Sequence, residues 1–227
     1  MFVLVSLIGY QQRREQLKGS GMHPNQVFRE TESERNHALI ATTGFGILAI
    51  NGDQGPLISH IPYLYDRDTS LISFHLVRSN PIVRLLKGGT LPATLIVSGP
   101  HGYISPDWYG IENQVPTWNY VAVHAIGELS LLPDGALDPL LERLSDHFEA
   151  ALSPKPIWKM HKLTDDAKMR MMRQIVPCAM QVKTVDGTWK LGQNKPDDAR
   201  LSAGDRLRET GFGAQVAVLA QLMRDSS

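Results

Sequence analysis

From Trp118 onward, the stretch VPTWNYVAVHAIGEL (residues 115–129) alternates with a two-residue period, and this constrains the fold more than any other feature. One phase collects Val121, Val123, Ala125, Gly127 and Leu129, which are wholly apolar and mostly small. The other collects Trp118, Tyr120, Ala122, His124, Ile126 and Glu128. A long strand with one small apolar face suits a barrel interior, where side chains of several strands share a narrow space. The second face is too aromatic for free solvent and too polar for a closed core. It is expected to meet another surface: a subunit, a helix or a flat ligand.

The rest of the chain supplies partners for that strand. FGILAI, PLISHIPYLY and SLISFHLV are short β-rich runs separated by the turn signals NGDQG and DRDT, and together predict a three-stranded meander. PATLIVSGPHGYIS predicts a strand broken at Gly99-Pro100, and CAMQVKTV with TWKLGQN predicts a closing hairpin turning at Asp186-Gly187. Helices are expected at TESERNHALIATTG, with Thr31 and Glu34 at capping-box spacing and Gly44 as stop, and at RSNPIVRLLKGG. Further helices are expected from about Asp138 to Leu152, with Leu141, Leu144 and Phe148 on one stripe, and from Thr164 to about Gln174. From Pro196 onward the chain reads as helical, interrupted by Gly211 and Gly213. About seven strands without repeated strand-helix-strand alternation predict a mainly antiparallel β-barrel with peripheral helices.

At 227 residues the chain is long enough for one sizeable core. The 23 Lys and Arg balance the 23 Asp and Glu, so bulk charge gives no footprint for nucleic acid. The single cysteine, Cys178, excludes an internal disulfide framework and fits a reducing compartment, so the cytoplasm is expected. MFVLVSLIGY lacks a leading basic region and falls short of the roughly 20 apolar residues of a membrane span, so no membrane association is expected. Residues 1–21 read as an N-terminal extension, 22–195 as the barrel with inserted helices and 196–227 as a helical tail.

The sequence contains no GxGxxG after a strand, no GxxxxGK[ST], no HExxH, no GxSxG and no paired CxxC. His60, His75, His101 and His124 fall on or beside strands but show no close ligand spacing, so no metal site is expected. Two stretches carry candidate binding chemistry. FHLVRSNP delivers Arg78, Ser79 and Asn80 to a helix N-terminus, where free N–H groups, a hydroxyl and a guanidinium suit a phosphate. The same residues also describe a capped helix with a solvated Arg. GTWKLGQNKP carries Trp189, Lys190, Gln193, Asn194 and Lys195 out of a strand, a pattern also common in ordinary hairpins.

In chain order, GFGILAI, SHIPYLYDRD, FHLVRSNP, SGPHGYISPDWY, VPTWNYVAVHAIGEL and WKLGQNKPDDAR closely resemble the PaiB-type family of FMN-binding negative transcriptional regulators. The match runs from about residue 22 to 222 and includes the Met22, Pro24 and Phe28 start. The resemblance implies an antiparallel split β-barrel of the FMN-binding type, whose homodimer forms flavin sites at the subunit interface. It implies that Arg78, Ser79 and Asn80 hold the FMN phosphate, and that Ser59, His60, Ile61 and Pro62, with Phe74 and His75, lie near the ring or ribityl chain. Trp118, Asn119 and Tyr120 would come from the long strand, and Lys190, Gln193, Asn194 and Lys195 from the closing segment. KLGQN stands where pyridoxamine phosphate oxidases carry Arg-Leu-x-Pro, which argues against vitamin B6 oxidation.

The resemblance implies a repressor that acts on DNA directly or through a regulatory partner. An alternative is an FMN-dependent oxidoreductase passing electrons from a reduced nicotinamide to a small acceptor. A third reading is a homodimeric scaffold with a vestigial flavin site.

Overall fold

The alternation that begins at Trp118 is carried by one strand, β6, Thr117–Leu131, in a computed structural model that describes residues 22–31 and 33–226. Val121, Val123, Ala125 and Leu129 are buried, whereas Trp118, Ile126 and Glu128 are exposed on the opposite face. The expected N-terminal extension, residues 1–21, lies outside the described residues. Contacts divide the chain into two compact units. The larger comprises Glu34–Val97 and His124–Val185; the smaller comprises Ser98–Val123, Asp186 onward and the described residues before Glu34. β5 (Leu91–Ile104), β6 and β7 (Ile175–Lys190) contribute a stretch to each.

In the larger unit, helix α1, Ser33–Thr43, stops at Gly44, whose φ of 61° only glycine adopts readily. A side chain there would also meet Phe148 Cε1 at 2.8 Å. Glu34, expected to complete a capping box, instead gives both carboxylate oxygens to Arg67. A planar guanidinium fork outcompetes one backbone N–H for a carboxylate. Next come β1 (Phe45–Gly52), β2 (Gly55–Pro62), β3 (Leu64–Asp66) and β4 (Leu71–Val77). The sheet order is β2-β1-β5-β6-β7-β4-β3, with β1 antiparallel to both β2 and β5, and β4 antiparallel to β3 and β7.

Both pairings of the expected meander are present, but its middle strand is split into β2 and β3. PLISHIPYLY breaks at Tyr63, which is buried and donates its hydroxyl to the Ile40 carbonyl (2.8 Å), so β2 and β3 become opposite edges of the sheet. Edges separated by one residue of chain require the sheet to roll, and it forms a barrel. Its interior is filled by Leu48, Ile72, Phe74, Leu95, Ala125, Leu129 and Met180, none exposed. Helices α2 (Pro81–Leu86), α3 (Leu137–Ala150) and α4 (Asp165–Met172) lie within this unit. On α3 the buried stripe is Leu137, Leu140 and Leu144, one turn earlier than Leu141 and Phe148 implied.

The smaller unit holds α5 (Asp197–Thr210), β8 (Gly213–Ala214) and α6 (Val216–Asp225). Gly211 and Gly213 interrupt the tail as expected, and the interruption itself pairs with β5, His101↔Ala214 and Gly102↔Gly213. Gly213 is required there, because a Cβ would lie 2.1 Å from the His101 carbonyl oxygen. Arg200, buried on α5, donates to the Met223 and Arg224 carbonyls at the end of α6 and pairs with Asp197.

Two expected breaks do not occur. β7 runs through Asp186-Gly187 without a hairpin, because the Asp186 carboxylate accepts from the Met22 N–H (2.8 Å) and lies 3.8 Å from Arg29. β5 runs through Gly99-Pro100, where glycine admits Val121: an added Cβ would sit 3.0 Å from the Val121 Cβ.

Candidate functional site

The sixteen candidate residues divide between the units. Ser59 to Pro62, Phe74, His75 and Arg78 to Asn80 belong to the larger, and Trp118 to Tyr120, Lys190 and Gln193 to Lys195 to the smaller.

In the larger unit β4 delivers Arg78, Ser79 and Asn80 to α2. Asn80 is the cap: its Oδ1 accepts from the Ile82 N–H (2.9 Å), and Pro81 occupies the first turn. Its Nδ2 donates to Ser59 Oγ (2.8 Å), tying the junction to β2. The expectation of free helix N–H groups is therefore corrected. Pro81 has none, Ile82 is capped by Asn80, and the Val83 N–H goes to the Asn80 carbonyl (3.0 Å). Arg78 is exposed but not simply solvated: Nε donates to the Arg173 carbonyl (2.8 Å) and Nη2 to that of Ile175 (3.0 Å). These bonds hold the start of β7 and fix the guanidinium, leaving Nη1 without a hydrogen bond among the described residues. An anion here is offered Arg78 Nη1, the exposed Ser79 hydroxyl and the Ser59 hydroxyl proton, since Ser59 Oγ serves Asn80 as acceptor. These donors fit a phosphate through side chains rather than through the helix.

On the face of the sheet opposite to Ser59, which pairs with buried Leu48, the strands present an apolar surface. The register Ile47↔His60, Ala49↔Ile58 and Ile47↔Ile96 aligns these side chains on one surface. Phe45 and Ile58 are 53% and 55% exposed, and the Phe45 ring stacks on His60 at 6.5 Å between centroids. Ile61 and Phe74 are core side chains that pack behind the surface. His75 is half-buried with Nδ1 lacking a partner among the described residues, and burial lowers its pKa, so the ring is neutral near pH 7. Cys178 is fully buried and its thiol is pushed up to about 12, so it offers no thiolate.

In the smaller unit Trp118 is surrounded by His101, Tyr103 and Phe212, with ring centroids 5.7–6.1 Å away. Tyr103 stacks on Phe212 at 5.3 Å. In the sequence the sign of this cluster is Phe212 between two glycines, a pattern that by itself predicts only a helix interruption. Asn119 points to the opposite side, buried, with Nδ2 3.5 Å from Met223 Sδ and Oδ1 unpartnered among the described residues. Tyr120 is half-buried on the Trp118 face.

After β7 the chain makes a tight turn at Gly192 (φ 86°), closed by the Lys195 N–H to the Gly192 carbonyl (2.9 Å). Gln193 braces that turn, accepting from the Leu191 N–H (2.8 Å) and donating to the Trp189 carbonyl (2.6 Å), while Asn194 is exposed. Lys190 donates to Thr117 Oγ1 and lies 5.9 Å from the Phe28 ring centroid. Burial first, and Lys195 second, lower its pKa. Lys195 donates to Gln114 and lies over Tyr109.

Residues 22–184 match the family described as "Putative FMN-binding domain". The chain belongs to this FMN-binding family. Its cofactor is FMN, in agreement with the PaiB-type resemblance. The Bacillus subtilis (strain 168) protein "Protease synthase and sporulation protein PAI 2" is 27% identical over 206 residues, covering 90% of this chain and 97% of the relative. Among solved structures, the FAD and heme binding protein from Mycobacterium smegmatis is similar at TM-score 0.53 and 18% identity, over 82% of each chain. The flavocytochrome Anf3 from Azotobacter vinelandii is similar at TM-score 0.51 and 11% identity, over 71% of this chain and 69% of that one. The fold of this FMN-binding protein is the split barrel. Among its described residues no helix is long and apolar enough to cross a membrane.

Proposed function

We propose that the protein is a homodimeric FMN-binding regulator that represses transcription, with the flavin phosphate held at the junction of Ser59, Arg78, Ser79 and Asn80. Membership of the FMN-binding family carries the reading, and the braced donor set at that junction supports its placement. The regulatory role draws on the Bacillus subtilis relative, named for protease synthesis and sporulation, which covers nearly all of this chain.

Bound FMN supplies reversible one- and two-electron chemistry. The chain's own residues bind and orient. Arg78 presents a fixed positive edge because two of its nitrogens grip backbone carbonyls, so little side-chain entropy remains to be lost when an anion arrives. Asn80 aligns the Ser59 hydroxyl, and the apolar face of Phe45, Ile47 and Ile58 is suited to exclude water once covered by a second subunit.

Purified protein titrated with FMN is expected to bind about one flavin per chain. Arg78→Ala should weaken binding by about 1.5–3 kcal/mol, the range for a charged hydrogen bond. Unchanged affinity would remove Arg78 from the site. Salt-sensitive binding to a specific promoter fragment is the outcome expected of a repressor. Oxidation of reduced nicotinamide by the flavin-loaded protein, without promoter binding, would instead select the oxidoreductase.

A further inference from the structure

The helical part of the larger unit holds a cavity of about 160 Å³, open to solvent on one side. Its walls include Trp158, Met160, Met171 and Met172, and its polar members are Ser145 on α3 and Lys168 on α4. We propose that this cavity is a second ligand site, for a single-ring aromatic carboxylate of benzoate size. The volume sets the ring count, since a cavity of about 150 Å³ lined by apolar side chains accepts benzene. An indole face and several thioethers favour an aromatic guest, because sulfur and ring edges attract, and flexible methionines adapt to the outline of a ligand.

Charge selects the carboxylate. Lys168 Nζ donates to Asp138 Oδ2 (2.8 Å) and lies 2.7 Å from Oδ1, which makes no hydrogen bond among the described residues, so two of the three ammonium donors remain for a guest. The Ser145 hydroxyl adds a second donor on the same lining. The wall is also set before any ligand arrives. Glu149 accepts from the backbone N–H of Trp158 (2.9 Å) and pairs with Lys155, and Lys159 pairs with Asp146 on α3, which pins the segment carrying Trp158. A preformed wall lowers the ordering cost of binding. Met171 remains 53% exposed and Trp158 is half-buried, so this wall is open to solvent. Ile175 also lines the cavity while its carbonyl accepts from Arg78, so the site adjoins the strand start that Arg78 holds.

The test is calorimetric and NMR titration of the full-length protein with benzoate, before and after saturation with FMN. A ligand this small should bind with a dissociation constant of about 1 mM or tighter, equally in both states. Ser145→Leu, which adds volume to the lining from within α3, should abolish binding. Lys168→Met should weaken benzoate about tenfold yet leave benzyl alcohol within about twofold, separating the charge from the apolar wall. Circular dichroism and thermal midpoints establish that both variants are folded. No benzoate binding to the wild type, binding that survives Ser145→Leu, or displacement of benzoate by FMN would each overturn the assignment. The last result would place the ligand in the flavin site, and none of them bears on whether FMN itself binds.

Discussion

His75 shows how a residue can be named from sequence and its state decided by its surroundings. The β-rich run SLISFHLV places it on β4, three residues before Arg78, but its neutrality follows from burial. Because the folded pKa lies below the ordinary value of 6.5, the unfolded chain binds the proton more readily between the two values. Stability from this residue is therefore complete above pH 6.5 and is lost as pH falls through that window. The urea midpoint is expected to fall as pH drops below 6.5, and His75→Gln should flatten the slope. An identical slope in the variant would assign the dependence to other groups. The RSNP pattern leaves Ser79 or Asn80 as the cap, and the structure selects Asn80, whose grip on Ser59 joins positions 21 apart in the chain. The FHLVRSNP pattern allows Arg78 to be solvated or phosphate-bound. Its hold on the Arg173 and Ile175 carbonyls spans 95 and 97 residues, a distance no local pattern reports.

At the scale of elements, helix starts and stops were the most legible, because their signals are local chemistry. Thr164 caps α4 through the Ala167 N–H, and Gly44 and Gly89 (φ 123°) take left-handed conformations past α1 and α2. Strand extents were less so. Asp186-Gly187 and Gly99-Pro100 carry turn residues, yet both stay extended because a partner takes the aspartate in one and needs the missing Cβ in the other. Gly127 makes the second point sharply: a Cβ there would lie 2.1 Å from the Gln181 carbonyl oxygen, within the β6–β7 pair. Gly127→Ala should cost about 2 kcal/mol or more by chemical denaturation, since backbone on both sides must shift. Gly135→Ala, where a Cβ meets nothing within 4 Å, is the control and should stay within about 0.5 kcal/mol. Equal effects would show that the sheet gives way at Gly127.

For the whole molecule, the face of β1 and β2 bears on assembly. Phe45 and Ile58 expose more than half their surface beside His60, an arrangement that suits burial against a second copy. Light scattering of the wild type is expected to give twice the chain mass, and Ile58→Glu should give a monomer with unchanged far-ultraviolet dichroism. A monomeric wild type would remove the homodimer from the proposed function. A dimer unaffected by Ile58→Glu would move the interface elsewhere, with the Trp118 and Phe212 cluster (44% and 60% exposed) as the next surface to substitute.

The sequence by itself determined the antiparallel barrel class, the inward phase of Val121 to Leu129, the caps and stops of most helices, and the family, because periodicity, capping and motif order are properties of short segments. Tertiary structure alone decided the strand order that rolls the sheet at Tyr63, the continuity of β5 and β7, the engaged N–H groups of α2 and the braced guanidinium of Arg78. Each of these depends on a partner brought from far along the chain, and the energy of such a contact is invisible until both partners have a place.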